Sequence, residues 1–260
     1  MLAYDFMRMA FAASACVALL AGPVGWFLVL RGQSFAGHAL SHIAFAGAAG
    51  AALLGISPLA GLLGAAVLAG GAMGLTGRDT GGRDVAIGLV LSLAMGFGVL
   101  FLHLMTGSAA TATALLFGNV LGVSGGMLAS LAGAAVAGLV ALGVLSRPLL
   151  FASLQPELAE ARGVSLRLVS TLFLMLVGAA TAECAQITGV LLVFTLMVGP
   201  GAAAQRLGLA PLAGIGCATV LALGEAWGGL ALSWWTDWPV SFWIAVLSAA
   251  AFLLAGLRRL

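Results

Sequence analysis

The chain has 260 residues, 63% of them hydrophobic and 7% charged, with a mean hydropathy of +1.20. A soluble domain carries roughly a quarter charged residues, so this composition belongs to an integral membrane protein. The formal net charge of +2 rests on ten arginines and no lysine; it offers no basic surface for nucleic acid and no P-loop lysine for an ATPase site.

Apolar runs of about 18 to 24 residues, separated by short breaks, place helical segments at 9–30, 36–55, 58–76, 85–106, 125–146, 166–183, 187–205, 211–235 and 239–257. The expected fold is an all-α, polytopic helical bundle with eight or nine transmembrane helices, a single transmembrane domain over 1–260. No cleavable signal peptide is expected, because the first run is long enough to span and ends at Arg31. Hydropathy is weakest in the second segment, where alanine, glycine and histidine replace larger apolar residues. Cys16, Cys184 and Cys217 are isolated and odd in number, and read as small hydrophobes.

If all nine segments cross, nine of the ten arginines fall on one side, Arg8 beside Asp5 being the exception. The positive-inside rule makes that side the cytoplasm, with the N-terminus outside and the C-terminus inside. The opposite side carries the uncharged stretch 107–124 and the tip Trp234-Trp235-Thr236-Asp237-Trp238-Pro239, an interfacial aromatic anchor. Gly118, Gly122 and Gly126, and Gly224 with Gly228, have the GxxxG spacing that lets helices approach closely.

His38 and His42 stand one turn apart in the second segment, on one face of a helix at a Cβ separation of roughly 6 Å. Two ring nitrogens at that spacing can approach one borderline metal ion, and ionisable groups at membrane depth are costly and usually functional. The bland alternative is two packing histidines bonded to carbonyls or to Ser41. A zinc protease is excluded, since HExxH needs a glutamate where Ala39 stands. His103 lies near a segment end and reads as interfacial. Glu183 and Glu225 are further intramembrane acids that can line a pathway. Otherwise Glu183, near an outer helix end beside Gln186, is expected to snorkel to water, and Glu225, well inside its segment, to bond a neighbouring helix as a protonated acid.

The longest polar connection, at about 147–167, holds Gln155-Pro156-Glu157-Leu158-Ala159-Glu160-Ala161-Arg162-Gly163-Val164. Pro156 suits a first helical turn, Glu157 and Glu160 favour its positive end, and Gly163 suits its exit. A short helix on the cytoplasmic side follows.

Together these features resemble the zinc/manganese permease family of ATP-binding-cassette importers. The resemblance rests on Phe35–Gly47, Asp84-Val85-Ala86-Ile87-Gly88, Leu116-Phe117-Gly118-Asn119-Val120-Leu121-Gly122-Val123-Ser124, Pro156–Val164, and Thr188-Gly189-Val190-Leu191-Leu192-Val193 leading to Gly199-Pro200-Gly201-Ala202-Ala203-Ala204. It implies a multi-pass protein of the bacterial inner membrane with no enzymatic site. The implied partners are a cytoplasmic ABC ATPase that hydrolyses ATP, an extracytoplasmic metal-binding protein and a second copy of the permease. No cofactor would be held permanently; the cargo would be a divalent metal ion. Pro156, Glu157, Glu160 and Gly163 would belong to a coupling helix docking on the ATPase. Family members often carry aspartate at the position of His38; the imidazole here points to zinc ahead of manganese. Two-fold symmetry would supply His38 and His42 twice. A secondary transporter driven by an ion gradient, with Glu183, Glu225 and the histidines as its relay, is the rival reading.

Overall fold

A computed structural model describes residues 1, 3–75, 80–105, 116–190 and 192–257, with side chains of the fourth helix from residue 84 onward. Among the described residues there are ten α-helices and no strand: α1 Asp5–Leu30, α2 Ser34–Leu53, α3 Pro58–Leu75, α4 Thr80–Leu104, α5 Gly125–Leu154, α6 Pro156–Ala161, α7 Leu166–Thr188, α8 Val193–Arg206, α9 Pro211–Thr236 and α10 Val240–Leu257, with a 3-10 turn at Val120–Gly122. Seven of them are long and apolar enough to cross a membrane. Of the other two predicted spans, α2 falls short in hydropathy, as its histidines and glycines dictate. α8 has 14 residues, too few for the roughly 20 that a bilayer core requires.

The residues form two compact units. One comprises Met1–Ser34, Thr113–Val136 and Glu183–Leu260; the other Phe35–Ala112 and Ala137–Ala182. In the first, α1 packs on α8 and α9, which both also meet α10. Contact is by backbone: a Cβ on Gly25 would strike the Met197 carbonyl, and one on Gly201 would strike Gly25. In the second, Gly47 and Gly61 bring α2 and α3 together, Gly70 and Gly74 seat α3 on α7 at Leu174 and Thr171, and Gly98 receives the Phe45 ring. Without a hydrophobic drive between helices in lipid, such close approach supplies the packing.

The glycines that mediate contact differ from those expected. Gly118 lies in a loop at φ +72°, and Gly126 has open space around it, so the 118–122–126 series does not pack helices. Gly224 is open too, whereas Gly228 meets Leu247. Two helix boundaries also differ. The break expected near 184–186 falls after Thr188, where Gly189 takes φ +73°. There it interlocks with Gly118, each standing where the other's Cβ would go. The fifth segment does not stop at Arg147 but runs through Pro148 to Leu154; membrane helices tolerate an internal proline because local adjustments satisfy the freed carbonyl. The polar connection thus contracts to α6 and its flanks. Arg8 pairs with Asp5 one turn away, and the three cysteines are free thiols.

Candidate functional site

α2 is rich in alanine and glycine and buried on nearly every side, with Ala39, Leu40, Ser41 and His42 consecutive in the core. Small side chains let neighbouring backbones close in, and two imidazoles occupy the space that remains. The His38 and His42 rings lie edge to face with centroids 4.8 Å apart. His42 is 8% exposed and His38 partly so, which gives the pair one accessible flank. The Ser41 hydroxyl donates to the His38 carbonyl at 2.7 Å. That bond commits the Ser41 hydroxyl hydrogen to the backbone.

The pair supplies two nitrogens. Among the described residues no group of three or more histidine, cysteine, aspartate or glutamate side chains could hold a metal ion. A borderline ion that prefers four ligands would therefore find half a coordination shell in one chain.

Glu183 on α7 is 2% exposed and Glu225 on α9 is 4% exposed. Among the described residues, Glu183 Oε1 and both Glu225 carboxyl oxygens accept no hydrogen bond, so no bond links the two acids. The expectation that Glu183 snorkels to water from a helix end is not met, because α7 continues past it to Thr188. Sequence reasoning passed over Thr181, whose buried hydroxyl has no hydrogen-bond partner among the described residues either, and Ser248, whose hydroxyl donates to the Thr195 carbonyl at 3.3 Å. Isolated hydroxyls in apolar runs were their only signal. His103 is exposed at the end of α4, as an interfacial residue would be.

α6 forms where its sequence signals place it. Pro156 occupies the first helical position after Gln155. At the exit the Gly163 N–H donates to the Glu160 carbonyl and the Val164 N–H to the Ala159 carbonyl, both at 2.9 Å. With Gly163 at φ +83° this is a Schellman cap, which only a residue at ease in the left-handed region closes cheaply. Ala159 is fully buried, while Glu157, Leu158, Glu160 and Ala161 face outward. The next helix is capped by Ser165, whose Oγ accepts from the Leu168 N–H at 3.3 Å.

A polytopic helical protein with an imidazole pair on a largely buried helix, an exposed short helix and no lysine for a P-loop has the attributes of a transporter's membrane subunit. Comparison with known proteins makes the class specific: residues 3–259 match the model of the ABC 3 transport family, to which this chain belongs. It is the membrane subunit of an ABC transporter, multi-pass and non-enzymatic, which removes the gradient-driven rival. It is 30% identical to the manganese transport system membrane protein MntC of Halalkalibacterium halodurans over 208 residues, 80% of this chain and 71% of that one. With the high-affinity zinc uptake system membrane protein ZnuB of Haemophilus influenzae it shares 25% identity over 244 residues, 94% of each. The fold is also similar to PsaBC from Streptococcus pneumoniae in complex with Fab, with a TM-score of 0.86, 25% identity and coverage of 97% of this chain and 91% of that one.

Proposed function

We propose that this chain is the permease of an ABC importer for a divalent transition metal, zinc first and manganese second. It forms one permease domain over 1–260 with eight or nine membrane-crossing segments: α2 would supply the eighth, and a ninth would require the 14-residue α8 to cross as a short helix. The observation that carries the reading is the His38–His42 pair, rings 4.8 Å apart on a largely buried helix. Imidazole suits zinc better than manganese, which favours carboxylate oxygen, and relatives named for each metal are similar to this chain. A second copy would contribute the same pair and complete four nitrogens around one ion. An extracytoplasmic binding protein would deliver it, and Glu183 and Glu225 would line the inner route as buried acids.

A partner ATPase would supply the energy through α6, where Pro156 and Gly163 fix the helix ends and Glu157 and Glu160 face outward. Proteoliposomes containing the permease and its ATPase, supplied with labelled zinc or manganese, test the metal reading. Zinc uptake that exceeds manganese uptake and vanishes in both H38A and H42A supports it. Wild-type uptake in both variants overturns the site. For α6, cysteines introduced at Leu158 and Ala161 should crosslink to the ATPase in a nucleotide-dependent manner; labelling from the extracytoplasmic side of sealed cells would reverse the topology.

A further inference from the structure

Two adjoining cavities lie where α9 turns into α10, within a single unit of the fold. The larger, about 700 Å³, is mostly apolar, walled by residues such as Ile187, Leu192, Leu196, Ala226, Phe242 and Ile244. The smaller, about 560 Å³, is lined by Ser233, Trp234, Asp237 and Trp238. Leu121, Leu230, Pro239 and Val240 line both, so an apolar compartment leads directly into a polar, aromatic one. Because α9 and α10 are both long and apolar enough to span, the turn joining them sits at a membrane–water boundary, the level where tryptophan concentrates.

The polar compartment is held rigid. Asp237 takes φ 56°, and its N–H closes α9 on the Ser233 carbonyl at 3.0 Å. The Ser233 hydroxyl donates to the Trp238 carbonyl at 2.6 Å, and Trp243 Nε1 donates to Thr236 Oγ1 at 2.9 Å. Trp238 stacks on Trp243 with centroids 5.7 Å apart and planes 15° apart, while Tyr4 lies 5.6 Å from Trp234. The Asp237 carboxylate is exposed, and the one ion pair among the described residues is elsewhere, between Arg8 and Asp5. An anionic group beside indole faces attracts an ammonium and repels a bare phosphate.

We propose that the two cavities form one site for a phospholipid with an amine headgroup. Its ethanolamine ammonium meets Asp237, Trp234 and Trp238, and one acyl chain fills the apolar compartment between the loop at 117–121, the start of α8 and α10. Pocket volumes of roughly 300–1,000 Å³ with few polar groups are typical of small-molecule sites, and the order of polarity here matches that of a lipid crossing the interface.

The full-length protein in detergent micelles, given equal dioleoyl phosphatidylethanolamine and dioleoyl phosphatidylglycerol, tests the proposal by native mass spectrometry. One phosphatidylethanolamine per chain should survive activation that strips phosphatidylglycerol. D237N removes the charge yet keeps a side chain that tolerates the left-handed backbone; it should lower that retention at least fivefold with an unchanged thermal transition. A245W should fill the apolar compartment and release both lipids, with S241L as a second filling variant if A245W fails to fold. Phosphatidylethanolamine with brominated acyl chains should quench tryptophan fluorescence in the parent and not in the filled variant. Equal retention of the two lipids, or D237N holding phosphatidylethanolamine like the parent, overturns the site. So does the absence of any retained lipid while an extracytoplasmic binding protein shields Trp235 and Trp238 from oxidation, which would make the turn a protein-docking surface.

Discussion

Helices α2 and α4 pack against each other through Phe45 and Gly98 and through Gly50 and Phe101, yet they follow opposite plans. α4 is strongly hydrophobic, but only 11% of its spanning window is buried; Val85, Leu89, Leu93 and Val99 point outward. α2 misses the hydropathy expected of a span and is buried almost all round. In this pair the more hydropathic helix is the more exposed one, whereas α1 joins a hydropathy of 2.0 to a window that is 72% buried, so hydropathy alone does not mark the outward helices. Burial goes to helices with small side chains, whose backbones approach closely and whose few polar groups are shielded from hydrocarbon.

That contrast can be broken from the α2 side first. H38A or H42A should cut metal uptake more than tenfold with normal membrane insertion, since even outer-shell partners of a metal site cost 10–100-fold; transport of labelled zinc measures it. H38D, which restores a hard oxygen ligand, should retain uptake better than H38A and shift preference toward manganese in a competition assay. G47V should overpack the contact with Gly61 and Ala65 and destabilise the fold by about 3 kcal/mol or more, seen as a lower thermal transition in detergent.

On α6, G163V would force a β-branched residue into φ +83° at a cost of about 1–2 kcal/mol, leaving ATP hydrolysis and losing metal uptake. L93A, on the exposed side of α4 at 62% exposure, should change stability by less than about 0.5 kcal/mol and leave uptake intact. A loss for L93A as large as that for G47V would show that α4 is covered by protein.

The candidate site was legible wherever its signals are local. The four-residue spacing of His38 and His42 settles that both rings share one face of any helix there, and the rings do meet. Pro156 and Gly163 mark a short helix because each constrains the backbone at its own position. The acids were less legible. Glu183 reads as a helix-end residue only while the end is placed at 183, and the true end depends on how Gly189 meets Gly118, a partner 71 positions away in the chain.

The sequence by itself determined the membrane class, the approximate location of every long helix and the start and exit of α6 at Pro156 and Gly163, because hydrophobic run length, proline and left-handed glycine act over a few residues. Tertiary structure alone decided which glycines carry contacts and that α5 continues through Pro148. It also decided that the aromatic turn at 234–238 adjoins an apolar cavity. In a chain apolar on every face, periodicity marks no inward side. Which small residue meets a backbone, and which polar group is sealed from water, follows only from where the other helices come to rest.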